Sequence, residues 1–171
     1  MCDEPKNDIK KNELAFPDGI YQWVHSTCYI HPIHISLGLY YEMYLCAIMG
    51  FAVLCTSFNY WRNPIVPSVA RNVDMGVVFT VIPYHYYLTL YTNNKLLTMA
   101  MSTTGILMYP FSIYIQHNYN YVNAAAFCHC LVHMCISLSA CFIYQDYYEQ
   151  GISLKWNLLP NSHPLNADNT T

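Results

Sequence analysis

Charge is what this sequence has least of. Asp, Glu, Lys and Arg make up 10% of its 171 residues, against roughly 25% in an average soluble domain. Between Met75 and Tyr144 the only formal charge is Lys95, and from Leu96 to Gln145 there is none. A soluble fold of this size buries one helix of that kind. It cannot bury so long a stretch, because the remaining apolar surface would face water. The shortage therefore excludes an ordinary soluble domain and calls for a bilayer as solvent. Basic residues are scarce too, and no run of Lys and Arg occurs, so a nucleic-acid partner is not expected. The expected surroundings are membrane lipids. The opening residues Met1-Cys2-Asp3-Glu4-Pro5-Lys6 contain no apolar run, so a cleaved signal peptide is not expected. Phosphate-binding, nucleophile-elbow and zinc-protease motifs (G-x-x-x-x-G-K-[ST], G-x-S-x-G, H-E-x-x-H) are all missing.

What is present is apolar and aromatic. Hydrophobic residues are 54% of the chain, yet the mean hydropathy is only +0.17. The 17 tyrosines account for the low value. A tyrosine is scored as polar, but it sits well at a membrane surface with its ring in lipid and its hydroxyl in water. The eight cysteines are spread through the sequence, most of them in apolar segments. They read as small core residues rather than a disulfide framework.

The chain divides into three parts. Residues 1–32 form a polar tail followed by an interfacial segment with Tyr21, Trp23 and Tyr29, laid on the membrane surface. Residues 33–145 form the transmembrane bundle, with spans at about 33–61, 67–92, 96–116 and 121–145. Residues 146–171 are a polar C-terminal tail, ending in the sequon pattern Asn169-Thr170-Thr171. Pro67 suits the first position of a helix. Pro83 and Pro110 are expected to kink theirs. Asn93-Asn94 marks a tight turn. The fold class is thus all-α, a polytopic transmembrane helix bundle of about four spans in an integral, multi-pass membrane protein. By the positive-inside rule Arg62 and Arg71 favour the cytoplasmic side for the loop between the first two spans, whereas Lys6, Lys10 and Lys11 in the N-terminal tail favour the opposite orientation.

Ionisable groups inside a membrane are costly, so each is a candidate for function. His129 and His133 lie four apart and share one helix face. That spacing suits two imidazoles on one metal ion. Equally, it suits two separate hydrogen bonds to neighbouring helices. In a four-span protein Ser57, Asp74 and His129 fall within roughly 6–12 Å of the same membrane surface, with His133 about 6 Å deeper. Asp74 also has Arg71 one turn before it on the same helix face. Glu42 sits in the middle of the expected first span and His85 deep in the second. Together they are candidates for a buried polar network or an ion path. His25, His31 and His34 fall at the opposite surface and read as solvated interfacial histidines.

Three stretches carry a resemblance. They are Leu54-Cys-Thr-Ser-Phe-Asn-Tyr-Trp61, Arg71-Asn-Val-Asp74 and His129-Cys-Leu-Val-His133. A Ser near the end of one span, an Asp early in the next and an HxxxH early in the last resembles the CREST superfamily of membrane hydrolases, which includes alkaline ceramidases and progestin/adipoQ receptors. The resemblance implies zinc held by His129 and His133, with Ser57 and Asp74 positioning or activating a water. The family's third zinc ligand, a His four residues after the Ser, is replaced here by Trp61. The family has seven spans, and this chain has room for about four.

Three functions follow. The first is a non-catalytic membrane protein with a structural or interaction role. The second is a zinc-dependent lipid amide or ester hydrolase of CREST type using His129, His133, Asp74 and Ser57. The third is a small transporter or channel using Glu42 and His85. The hydrolase requires its four residues to converge. The transporter requires Glu42 and His85 to line one polar path.

Overall fold

A computed structural model describes residues 13–152 and 154–160. The charged N-terminal residues and the C-terminal sequon lie outside the described residues. The chain is an all-α helix bundle. Its order is a two-residue strand β1 (Glu13–Leu14), α1 (Tyr21–Thr27), α2 (His31–Tyr40), α3 (Tyr44–Trp61), a second short strand β2 (Ile65–Val66), α4 (Val69–Leu88), α5 (Lys95–Tyr119) and α6 (Val122–Glu149). Single 3-10 turns join α1 to α2 and extend α4.

Three helices, α3, α5 and α6, are long and apolar enough to cross a membrane. The long uncharged run supplies the last two. Helix α4 matches α3 in length but carries Arg71, Asn72 and Asp74 in its first turns. It begins later than Pro67 suggested. Ser68 is the N-cap, and its Oγ accepts the Arg71 N–H at 3.2 Å. Pro67 therefore lies before the cap. The helices that contain Pro83 and Pro110 continue through both.

The N-terminal half departs from the sequence expectation. The span expected over 33–61 is two helices, α2 and α3, separated by a turn. The turn is a Schellman closure. Met43 N–H bonds Gly38 C=O at 2.7 Å, Glu42 N–H bonds Leu39 C=O at 3.2 Å, and Glu42 takes φ 58°. Glycine usually fills that left-handed position, and a glutamate there gave no signal. The segment expected to lie on the membrane surface is helical from Tyr21 and packs one face inward. Val24 and Cys28 are completely buried against α3 and α6. Helices α1 and α2 with their connecting turn make one rod over 21–40, roughly 30 Å long.

Five rods result, each joined to the next by a short connection, so neighbours run antiparallel. One end of the bundle gathers β1, the α3–α4 connection and the α5–α6 connection. Here β1 pairs antiparallel with β2, Glu13 opposite Val66. Gln116 Nε2 donates to Ala15 C=O at 2.7 Å, tying the strap to α5. Asn120 turns the chain between α5 and α6 in the left-handed conformation, φ 54°. The far end holds the Glu42 turn, the 89–94 connection and residues 150–160. There Asp146 accepts from the Asn93 N–H and from Gln150 Nε2.

Two apolar clusters brace the rods. Phe16, Val24, Cys28, Tyr60, Trp61 and Ala125 pack near the strap end. Met43, Leu88, Ile143, Tyr144, Tyr147 and Leu154 pack near the far end. Small residues seam α5 to α6. Ser102 and Ser139 hydroxyls meet at 2.7 Å, Ser139 donates to Thr98 C=O at 3.0 Å, and Ser112 donates to Ala125 C=O at 2.7 Å.

Candidate functional site

A cavity of about 1140 Å³ runs between the two clusters. Ser57, Asp74, His129, His133 and His85 all line it. So the four residues that the sequence grouped do open onto one space. The α3–α4 hairpin sets the first pair. Ser57 Oγ donates to Asp74 Oδ1 at 2.6 Å. Thr56 Oγ1 reaches the same oxygen at 3.0 Å, but its single proton also faces the Ala52 and Val53 carbonyls at 3.1 and 3.2 Å. Ser57 is the firmer donor. Among the described residues, Asp74 makes no ion pair with Arg71.

Helix α6 sets the second pair. The rings of His129 and His133 lie 5.5 Å apart between centroids. His129 is enclosed by aromatic rings, with Trp61 at 4.6 Å, Tyr109 at 5.6 Å and Phe16 at 6.4 Å. Trp61 thus meets His129 edge to face, at the position where a third histidine would stand by resemblance.

His133 has a partner that the sequence did not suggest. Its Nδ1 lies 3.1 Å from His31 Nε2, and His31 Nδ1 lies 3.1 Å from Ser137 Oγ. One proton serves each contact, so the chain of three has a direction. If Ser137 donates, His31 donates to His133, and the His133 proton sits on Nε2. If the direction reverses, His133 Nε2 is bare. His31 is 3% exposed and His34 5% exposed, and both line the cavity. This corrects the reading of these two as solvated interfacial histidines. Their burial follows from the break at Glu42, which folds α2 back along α3 and α6. Ser137 had a visible signal, since 129, 133 and 137 form one i, i+4 stripe. His31 had none.

His85 bonds at both nitrogens. Nδ1 faces Val81 C=O at 3.1 Å and Nε2 faces Tyr144 Oη at 2.6 Å. The carbonyl can only accept, so Nδ1 carries the proton and Nε2 accepts from Tyr144. Glu42 is not part of this network. It lies in the turn at the far end, where its carboxylate pairs with Lys155 Nζ at 2.8 Å, both side chains 55% exposed. The expected pairing of Glu42 with His85 is therefore not formed. The cause is again the break at 41–43, which moves Glu42 from mid-span to the end of the bundle.

Among the described residues, no three His, Cys, Asp or Glu side chains gather closely enough to hold one metal ion. His129 and His133 offer two donors, both nitrogens of His31 are engaged, and Trp61 offers none. A catalytic zinc takes three protein ligands and an open position, so the resting arrangement does not fit one. What the site does combine is a large, mainly apolar space with a hydroxyl–carboxylate pair near the strap end and a set of hydrogen-bonding imidazole rings along its wall. That arrangement suits a molecule with a polar head and an apolar body. The chain matches no protein-family model, no curated protein sequence and no solved structure.

Proposed function

We propose that this chain is a multi-pass membrane protein without catalysis, whose bundle holds an amphiphilic, lipid-like molecule. The observation that carries this reading is the cavity. Its volume of about 1140 Å³ is slightly above that of ordinary ligand sites, roughly 300–1,000 Å³. Its walls are chiefly side chains such as Val53, Val78, Ile82, Val132 and Ile136. Ser57, Asp74 and His129 among its polar groups belong to residues near the strap end of their helices, while His31, His34, His85 and His133 line it further along. Five antiparallel rods, three of them of membrane-spanning length and composition, support the multi-pass topology.

The test is mass spectrometry of lipid extracted from detergent-purified protein. One amphiphile class, enriched about one per chain over the bulk membrane and depleted in a well-folded Val132→Phe variant, supports the reading. A lipid profile equal to the bulk membrane in both proteins sinks it.

A second reading is a lipid amide or ester hydrolase of CREST type. The observation favouring it is that the 2.6 Å Ser57–Asp74 bond opens onto the same cavity as His129 and His133. Its zinc-dependent form needs a third protein donor beside the two histidines. Metal content of wild type beside His129→Ala/His133→Ala separates the two readings. About one zinc per chain, lost in the double variant, supports the hydrolase. No stoichiometric metal in folded wild type removes the zinc-dependent form. The transport reading has lost Glu42 and has no observation of its own.

A further inference from the structure

The cavity has two edges of opposite character. At the strap end its rim is polar, with Glu13, Arg71, Gln116 and His117. Further along the bundle its wall is formed by Phe79 and Pro83 of α4 and by Ile106 of α5. These side chains line the cavity and are also exposed on the outside. Phe79 is 67% exposed and Ile106 37%. Residues that face both ways mark an opening.

The gap has a packing cause. Each of the two helices is committed elsewhere. Helix α4 is bonded to α3 through Asp74 and Ser57. Helix α5 is seamed to α6 through Ser102, Gly105 and Ser112. Although α4 and α5 are consecutive, two side-chain hydrogen bonds cross between them among the described residues. Tyr109 Oη meets Met75 Sδ at 3.4 Å, and Thr103 Oγ1 meets Tyr86 Oη at 3.4 Å. Between these two crossings lie roughly 16 Å of α4 and roughly 9 Å of α5. The α4 stretch contains Phe79 and Pro83. Helix α5 is of membrane-spanning length and composition, so the opening faces acyl chains rather than water.

We propose that the cavity opens sideways into the bilayer between α4 and α5, and that an acyl chain of a membrane lipid enters through this slot. The lipid's head then lies at the polar end by Ser57, Asp74 and His129, and its chain passes between the Met75–Tyr109 and Tyr86–Thr103 crossings. The assignment of the head rests on the ligand reading above. The slot itself does not.

The experiment is photolabelling of the full chain in phosphatidylcholine vesicles that contain a phosphatidylcholine with a diazirine at the end of one acyl chain. The inner wall of the cavity is reported by Val132 and Ile136 on α6, and the outer surface by Leu107 and Phe111 on α5. Labelling of both sets is expected. Val78→Trp narrows the slot and should cut inner-wall labelling several-fold while leaving Leu107 and Phe111 labelled as before. The unchanged outer labelling also reports that the variant is folded and inserted. Ile106→Trp serves if Val78→Trp fails that control. Labelling confined to the outer set overturns the proposal, as does inner labelling that neither variant reduces. The outcome separates from that of the lipid extraction. A co-purifying lipid without inner-wall labelling keeps the ligand and removes the slot. Inner-wall labelling without a co-purifying lipid keeps the slot and removes the ligand.

Discussion

Gly105 packs α5 closely against Ile136 of α6 beside the cavity, and Gly105→Ala probes that approach directly. A Cβ placed there lies 2.8 Å from Ile136 Cγ1, 2.9 Å from Ile136 Cδ1 and 3.3 Å from Cys135 Cβ. The shortest contact is to Cγ1, next to the branch point of a side chain that is stiff at χ1 in a helix, so Ile136 must leave its rotamer or α5 must retreat. Overpacking of this kind costs about 1–3 kcal/mol. Replacing a helix-interior glycine by alanine gives back about 1 kcal/mol. The net expectation is a loss of about 1 kcal/mol. In an Ile136→Ala background the two shortest contacts are gone and the 3.3 Å contact to Cys135 Cβ remains. There Gly105→Ala should be neutral or stabilising by up to about 1 kcal/mol. The two sites should therefore couple by about 1–3 kcal/mol. The assay is thermal unfolding, in one detergent, of wild type, both single variants and the double. Additivity within about 0.5 kcal/mol would refute the reasoning, because it would mean that Gly105 and Ile136 do not meet.

Three further outcomes follow from particular contacts. His31→Leu leaves Ser137 Oγ and His133 Nδ1 without their buried partner and should cost about 2–4 kcal/mol in the same unfolding assay; unchanged stability would place His31 outside the site. Asn120→Ala should lose about 1 kcal/mol, and Asn120→Gly nothing, because φ 54° crowds a Cβ; equal effects would remove the left-handed turn between α5 and α6. Glu42→Gln should leave the melting temperature unchanged, because its pair with Lys155 is exposed; a large loss would restore the buried Glu42 network. The same pair sets a pH expectation. The hydrogen bond from Lys155 to Glu42 raises the lysine above its usual 10.5. A raised basic group contributes its full effect below the unfolded value and loses it only as pH climbs through the folded one. This pair should therefore leave the melting temperature flat across neutral pH.

The two helix ends at the far side show what a sequence reading can and cannot see. Helix α6 closes with Ile152 N–H on Tyr147 C=O, Gly151 N–H on Tyr148 C=O and Gly151 at φ 66°. Helix α2 closes with the same pair of bonds around Glu42. Glycine at the left-handed position announces the first. Nothing announces the second, because a glutamate between Tyr41 and Met43 looks like a costly charge inside a span. That one residue displaced the expected spans, the place of Glu42 and the place of two histidines. Burial of Met43, 1% exposed, helps hold the turn. It is a tertiary contact with no local signature.

By itself the sequence determined the class and half of the site. An uncharged run that long suits a bilayer rather than water, so helices long and apolar enough to cross a membrane follow from composition alone. Helical periodicity puts His129, His133 and Ser137 on one stripe, and short connections bring Ser57 and Asp74 to the same end. Only the tertiary structure decided what meets that stripe. It put His31 against His133, closed Trp61 over His129, sent Glu42 out to Lys155 and left α4 and α5 apart. These outcomes depend on contacts between residues far apart in the chain, such as His31 and His133. Local pattern carries the period of each helix, but the partner each face takes is settled by all the rods packing at once.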